Sequence, residues 1–192
     1  MLLNNKLEIL SLYNKVNLVP FGEFLPFEKI LSKLGLKKIT PGYSSFSPGD
    51  KRAVINLGEQ FSKKLILPLI CYEIIYPAKI KKKEQYPDLV INISEDAWFG
   101  ESIGPYQHFA KSIFRSIESR SYTIRSANKG MSAFVDPTGK ILKNLEPNEE
   151  GNIEMELPIL KNSNYAIKKS LKFPLLLITY IFLFFVLSRL KF

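Results

Sequence analysis

A single cysteine, a single histidine and a single tryptophan stand among 192 residues. One cysteine excludes an internal disulfide framework, and one cysteine with one histidine cannot assemble the clustered ligands of a structural zinc site, so no metal or cofactor is expected. The lone histidine, His108, leaves a serine-histidine triad only one candidate base. The chain also lacks an internal repeat and a low-complexity linker. Acids are the scarcer charge: 18 Asp and Glu against 27 Lys and Arg leave a formal charge of +9. The lysines are spread along the chain with one tight run, Lys79 to Lys83 (KIKKK), which reads as a solvated helix end. Nucleic acid is therefore not an expected partner.

Apolar residues make up 46% of the chain, enough for one sizeable core. From Phe173 to Leu187 (FPLLLITYIFLFFVL) fifteen residues carry no charge, with Lys168, Lys169 and Lys172 before them and Arg189 and Lys191 after. A core helix needs a polar face, and this stretch offers only Thr179 and Tyr180. A short transmembrane helix over about residues 173–188 is the expectation, preceded by a juxtamembrane segment from residue 161 and a domain over residues 1–160. Basic residues on both sides leave its orientation open. At the other end, MLLNNKLEILSLYNK interrupts its apolar residues with charges and has no signal-peptide core.

The domain reads as α/β. KLILPLI (64–70) and DLVINIS (88–94) are short apolar or alternating runs ending in polar residues, which suits buried strands. Ile74 to Lys83 has the length of a crossover helix, with Pro77 confined to its first turn. Phe109, Ile113 and Ile117 recur every four residues and predict a helix over 106–121. Residues 131–135 and 141–145 flank the turn DPTG as a hairpin, and GNIEMEL (151–157) alternates as a further strand.

The cysteine, Cys71, lies in LICYEI at the end of the first of these strands. A free cysteine is often a small core residue, yet the end of a buried α/β strand is also where reactive side chains sit. As a nucleophile it needs a base or a cation to ionise. His108, at the start of the striped helix in GPYQHF, reads more naturally as structural. Lys15 and Glu23 stand eight apart in YNKVNLVPFGE, across a Pro-Phe-Gly turn.

Here the sequence resembles the nitrilase, or carbon-nitrogen hydrolase, superfamily, and within it the apolipoprotein N-acyltransferases: YNK, LVPFGE, ICYE, DAWFG and GPYQHF occur in one order, followed by an apolar C-terminal helix. The resemblance implies an α-β-β-α sandwich, of which this chain is the C-terminal part. It implies an acyltransferase of the bacterial inner membrane, catalytic domain periplasmic, that moves a fatty acyl chain from a phospholipid through a Cys71 thioester to the N-terminal amine of a diacylglyceryl lipoprotein. Lys15 would stabilise the oxyanion together with the Tyr72 N–H, and Glu23 would orient Lys15 and the incoming amine. Glu73 would support the thioester site, and Trp98 and Phe99 would line the acyl entrance.

Two departures qualify that expectation. Glu95 stands where the family usually has asparagine, and a carboxylate there disfavours a thiolate. The family's primary glutamate base lies in a proline-glutamate motif well upstream of the lysine, and the fourteen residues before Lys15 hold only Glu8, in KLEIL. The expectation is a split or truncated enzyme whose upstream part carries that glutamate and further membrane helices. A catalytically inactive membrane-anchored remnant and a nitrilase-type amidase acting on small C–N bonds remain the alternatives.

Overall fold

In the computed structural model the described residues are 1–38, 45–59, 64–77, 86–158 and 169–189. They form two units, Met1–Leu157 and Pro158–Phe192. In the first unit β1 (Leu2–Leu3) and β2 (Ile9–Ser11) make a two-stranded ribbon, followed by a single turn of helix, α1 (Glu28–Leu31). Next come β3 (Ile55–Asn56), β4 (Leu65–Ile70), β5 (Leu89–Glu95), helix α2 (Gly104–Ser119), β6 (Tyr122–Asn128), β7 (Ser132–Val135) and β8 (Ile141–Leu145). These last six strands form one sheet in chain order, β4, β5 and β6 parallel at its centre and β3, β7 and β8 antiparallel at its sides. The α/β class holds. Among the described residues, however, one six-stranded sheet and a ribbon stand where two facing sheets were expected.

The central strands are parallel because their side chains are apolar enough to be covered on both faces. Leu67, Leu69, Val90 and Ile74 make one buried cluster, with Val54 and Ile75 against it. Phe109, Met131, Ala133 and Val135 make another, with Ile113 against it. Helix α2 starts with Pro105 in its first turn, where the missing N–H costs nothing, and ends at Arg120 in the left-handed region (φ 53°). Its buried face is rotated from the predicted stripe. Phe109 is buried, but Ile117 is 47% exposed, and His108, Ser112, Arg115, Ser116 and Ser119 face inward instead. Much of this face is polar because part of the sheet surface beneath it is polar: Ser116 Oγ donates to Thr123 Oγ1 on β6 at 2.6 Å.

The hairpin around Asp136–Gly139 forms as predicted, with Asp136 Oδ1 accepting the N–H groups of Thr138 and Lys140 at 2.8 and 2.9 Å. Three other expectations change. The residues after β4 form a 3-10 turn, Cys71–Ile75, that ends before Pro77; the rest of the expected crossover helix and the KIKKK run lie outside the described residues. Among the described residues GNIEMEL pairs with no strand, and Lys143 Nζ donating to the Glu154 carbonyl is a side-chain tether to it. Finally, among the described residues no helix is long and apolar enough to cross a membrane, which corrects the expected transmembrane helix over 173–188. A helix, α3 (Lys169–Arg189), does form there. Its fifteen uncharged residues rise only about 22 Å at about 1.5 Å each, against a hydrocarbon core of about 30 Å, and Pro174 breaks the hydrogen-bond ladder at their start.

Candidate active site

The parallel strands end together, and Cys71 lies just past the end of β4 as the first residue of the 3-10 turn. Its backbone is left-handed, φ 52°, which costs an L-residue with a Cβ about 1–2 kcal/mol. Such strain persists only where surrounding contacts enforce it. The thiol is partly exposed, its Sγ 4.0 Å from the Glu95 carbonyl at the end of neighbouring β5.

Glu73 enforces the turn. It is fully buried, and its Oε2 accepts the Ile70 N–H at 2.8 Å across the strained residue. Its Oε1 accepts the Val16 and Asn17 N–H groups at 2.8 and 3.1 Å, and the Tyr13 hydroxyl donates to both oxygens at 2.9 Å. One carboxylate thus ties residues 13–17, which carry Lys15, to the turn that carries Cys71. Burial first, then the charge and hydrogen bond of Glu73, push the Tyr13 phenol above its ordinary range, partly opposed by Arg52, so the hydroxyl remains a donor.

Lys15 Nζ pairs with Glu23 Oε1 at 2.6 Å, and Glu23 Oε2 accepts the Val19 N–H at 2.9 Å, closing the Pro-Phe-Gly turn. The two side chains are 11% and 23% exposed, sheltered enough that the pair is not an ordinary surface ion pair. Tyr72 packs edge-on against Tyr76. Trp98 and Phe99 lie on the 3-10 turn after β5; Trp98 is 60% exposed, so it is not a core residue, while the Phe99 ring packs 5.4 Å from that of His108. The Glu95 carboxylate is held by Asn128 Nδ2 on β6 at 2.8 and 3.1 Å and by the Ala97 N–H at 3.1 Å.

Beneath these residues lies a buried polar row absent from the sequence reading. Leu69, Asn92 and Arg125 are cross-strand neighbours on β4, β5 and β6. Arg125 donates through Nη1 to Asn92 Oδ1, through Nη2 to Asp96 Oδ2 at 2.6 Å and through Nε to the Met131 carbonyl at 3.2 Å. Ser94 Oγ donates to Asp96 Oδ1 at 2.6 Å. His108 Nδ1 lies 2.9 Å from the same oxygen and 3.2 Å from Arg125 Nη2; a proton on Nδ1 directs it to the carboxylate, whereas a bare Nδ1 would set two acceptors face to face. A Cβ on Gly130 would fall 2.7 Å from the Asp96 carboxyl carbon, so only glycine lets the β6–β7 turn close over the carboxylate. The available signal was polar residues at inward positions of apolar strands: Asn92 two after Val90, and Arg125 two after Thr123.

Burial raises the Asp96 pKa, but the His108 hydrogen bond, the Arg125 charge and Ser94 outweigh it and hold the carboxyl below its ordinary value of 3.8. A folded-state pKa below the unfolded one contributes stability above the unfolded value that is lost as pH falls through the folded one. Urea midpoints at pH 7 and pH 3 should therefore fall further apart in the wild type than in Asp96→Asn. Equal pH dependence in the two would show that the pair contributes nothing differential.

Residues 1–160 match the family model for carbon-nitrogen hydrolases. The chain belongs to the carbon-nitrogen hydrolase family. Its similar relatives include the apolipoprotein N-acyltransferases of Rhizobium rhizogenes (39% identical over 150 residues, 78% of this chain and 28% of that protein) and Rickettsia prowazekii (44% over 158 residues, 81% and 29%). The chain thus spans under a third of the length of these curated relatives. Among solved structures it resembles the NitN amidase from Neterenkonia sp. AN1, at a TM-score of 0.47 and 21% identity over 72% of this chain and 49% of that one, a likeness too loose to carry an argument. In this carbon-nitrogen hydrolase domain the matched region contains all the side chains of the Cys71 site described above.

Proposed function

We propose that residues 1–157 supply the nucleophile side of an apolipoprotein N-acyltransferase active site, working at the bacterial inner membrane with its catalytic face periplasmic. The observation that carries this reading is the Glu73 tether, which couples the Lys15–Glu23 ion pair to a strained cysteine at a strand end. The similarity of about 40% to N-acyltransferases supports the choice of reaction over hydrolysis of a small amide.

In this reading the Cys71 sulfur attacks the ester carbonyl of a phospholipid. The S–C bond forms, the carbonyl electrons move onto oxygen, and Lys15 with the Tyr72 N–H stabilises that charge. Collapse breaks the C–O bond and releases the lysophospholipid, whose alkoxide takes up the proton given by the thiol. The N-terminal amine of a diacylglyceryl-cysteine lipoprotein then attacks the thioester: the C–N bond forms, the C–S bond breaks and the cysteine is restored. The exposed Trp98 and Phe99 flank the acyl path. Glu23, Glu73, Glu95 and Asp96 are each already engaged by two or more donors, so we assign the proton-accepting carboxylate to a part of the enzyme beyond the described residues.

The test joins this chain, by co-expression, to the remaining length of one of its relatives and supplies phospholipid labelled in one acyl chain. A hydroxylamine-labile label should appear on Cys71 and move to the amine of a diacylglyceryl-cysteine peptide. Label passing only to water would turn the reading to hydrolysis, and no label on Cys71 would overturn it.

A further inference from the structure

We propose that Asn92, clamped by Arg125, aims the Tyr72 N–H at the oxyanion that forms on the acyl group of Cys71. The inference rests on the nucleophile reading above and adds to it two positioning residues that touch no substrate.

The argument is one of donors and acceptors. Arg125 has no acceptor atom, so the group it faces on Asn92 must be the carbonyl Oδ1. That leaves Nδ2 on the opposite side of the amide, where it donates to the Leu69 carbonyl at 3.0 Å and reaches the Cys71 carbonyl at 3.5 Å. The Cys71–Tyr72 peptide is trans, no cis bond occurring among the described residues, and in a trans peptide the C=O and N–H point in opposite directions. Holding the Cys71 oxygen toward buried Asn92 therefore turns the Tyr72 hydrogen away from the core, toward the side on which the thiol is partly open.

Arg125 keeps this orientation because it is itself held at every nitrogen, by Asn92, Asp96 and the Met131 carbonyl, and because Asp96 is held in turn by Ser94 and His108. Asn92 is fully buried, Arg125 is 2% exposed, and neither side chain has another rotamer to visit without leaving a buried donor unpaired. The row is thus a rigid lever between helix α2 and the peptide that follows the nucleophile.

The test separates a reaction that makes an oxyanion from one that does not. Acylation of Cys71 by p-nitrophenyl butyrate passes through a tetrahedral oxyanion, whereas alkylation by iodoacetamide is a direct displacement at carbon. Both are run in one alkaline buffer, whose base takes the thiol proton, so neither needs a carboxylate. Asn92→Ala should slow acylation by about 10- to 100-fold, the scale of a misaimed catalytic group, and leave alkylation within about twofold. Should that variant not fold, Asn92→Asp retains the acceptor for Arg125 while turning an oxygen toward the two carbonyls, and should show the same split. Arg125→Lys keeps the ion pair with Asp96 but loses the second prong, and should fall between.

Acylation within threefold of wild type in Asn92→Ala or Asn92→Asp overturns the proposal. So does a parallel fall in both reactions, which would mark the row as scaffold only. A wild-type chain that alkylates at Cys71 but takes no acyl group overturns the nucleophile reading first, and the proposal with it.

Discussion

Cys71→Ala should leave the joined enzyme with no acyl label on this chain, and Cys71→Ser at most a label that resists neutral hydroxylamine, because an oxygen ester is not cleaved as a thioester is. The loss is complete because the Cys71 sulfur is the nucleophile that the described residues present at the strand end, and an alanine in the same left-handed position keeps the turn while removing it. Lys15→Ala should retain the thiol but slow its acylation by about 10²–10³-fold, the effect of losing one oxyanion donor. The two variants also part in their alkylation by iodoacetamide: absent in Cys71→Ala, still present in Lys15→Ala. Label persisting in Cys71→Ala would move the nucleophile elsewhere, and a loss below tenfold in Lys15→Ala would make the Lys15–Glu23 pair a structural one.

How much of this was legible beforehand varies with the kind of residue. The strands Leu65–Ile70 and Leu89–Glu95 are legible because parallel strands buried on both faces read as apolar runs, and the helix, expected over 106–121 and found over Gly104–Ser119, because Phe109, Ile113 and Ile117 recur every four residues. The face that α2 buries was not legible from apolar spacing. The sheet beneath it carries Thr123 and Arg125, so serines and a histidine fit better there than Ile117. The buried row escaped for the same reason. Arg125 is 33 residues from Asn92 and 29 from Asp96 and becomes their neighbour only through the β5–β6 register. The C-terminal apolar run was expected to span because Ser188 and snorkelling basic flanks would extend its fifteen residues, but among the described residues no helix is long and apolar enough to cross a membrane. The alternation of GNIEMEL predicts a strand face but cannot supply a partner strand.

Glu73 is the residue whose removal should cost the fold most. Its two oxygens accept from Tyr13, Val16, Asn17 and Ile70, and the side chain is fully buried. Alanine leaves three backbone N–H groups and a phenol without an acceptor where water does not reach them freely. At about 1–3 kcal/mol for each unsatisfied group, the sum is on the order of 4 kcal/mol or more, against a whole-domain stability of about 5–15 kcal/mol. Glu73→Gln should be milder. With its carbonyl in place of Oε1 it still serves Val16, Asn17 and Tyr13, and only the amide nitrogen replacing Oε2 meets the Ile70 N–H donor to donor, a cost of about 1–3 kcal/mol. Because the broken contacts are also what joins the Lys15 segment to the Cys71 turn, Glu73→Ala should lose acylation even under conditions where it remains folded, while Glu73→Gln should keep part of it. Urea denaturation ranks the three proteins, and the acylation rate below the unfolding transition ranks them again. An alanine variant less than about 1 kcal/mol below wild type, the value of one ordinary hydrogen bond, would mean that residues 13–17 are held against the turn by something other than this carboxylate.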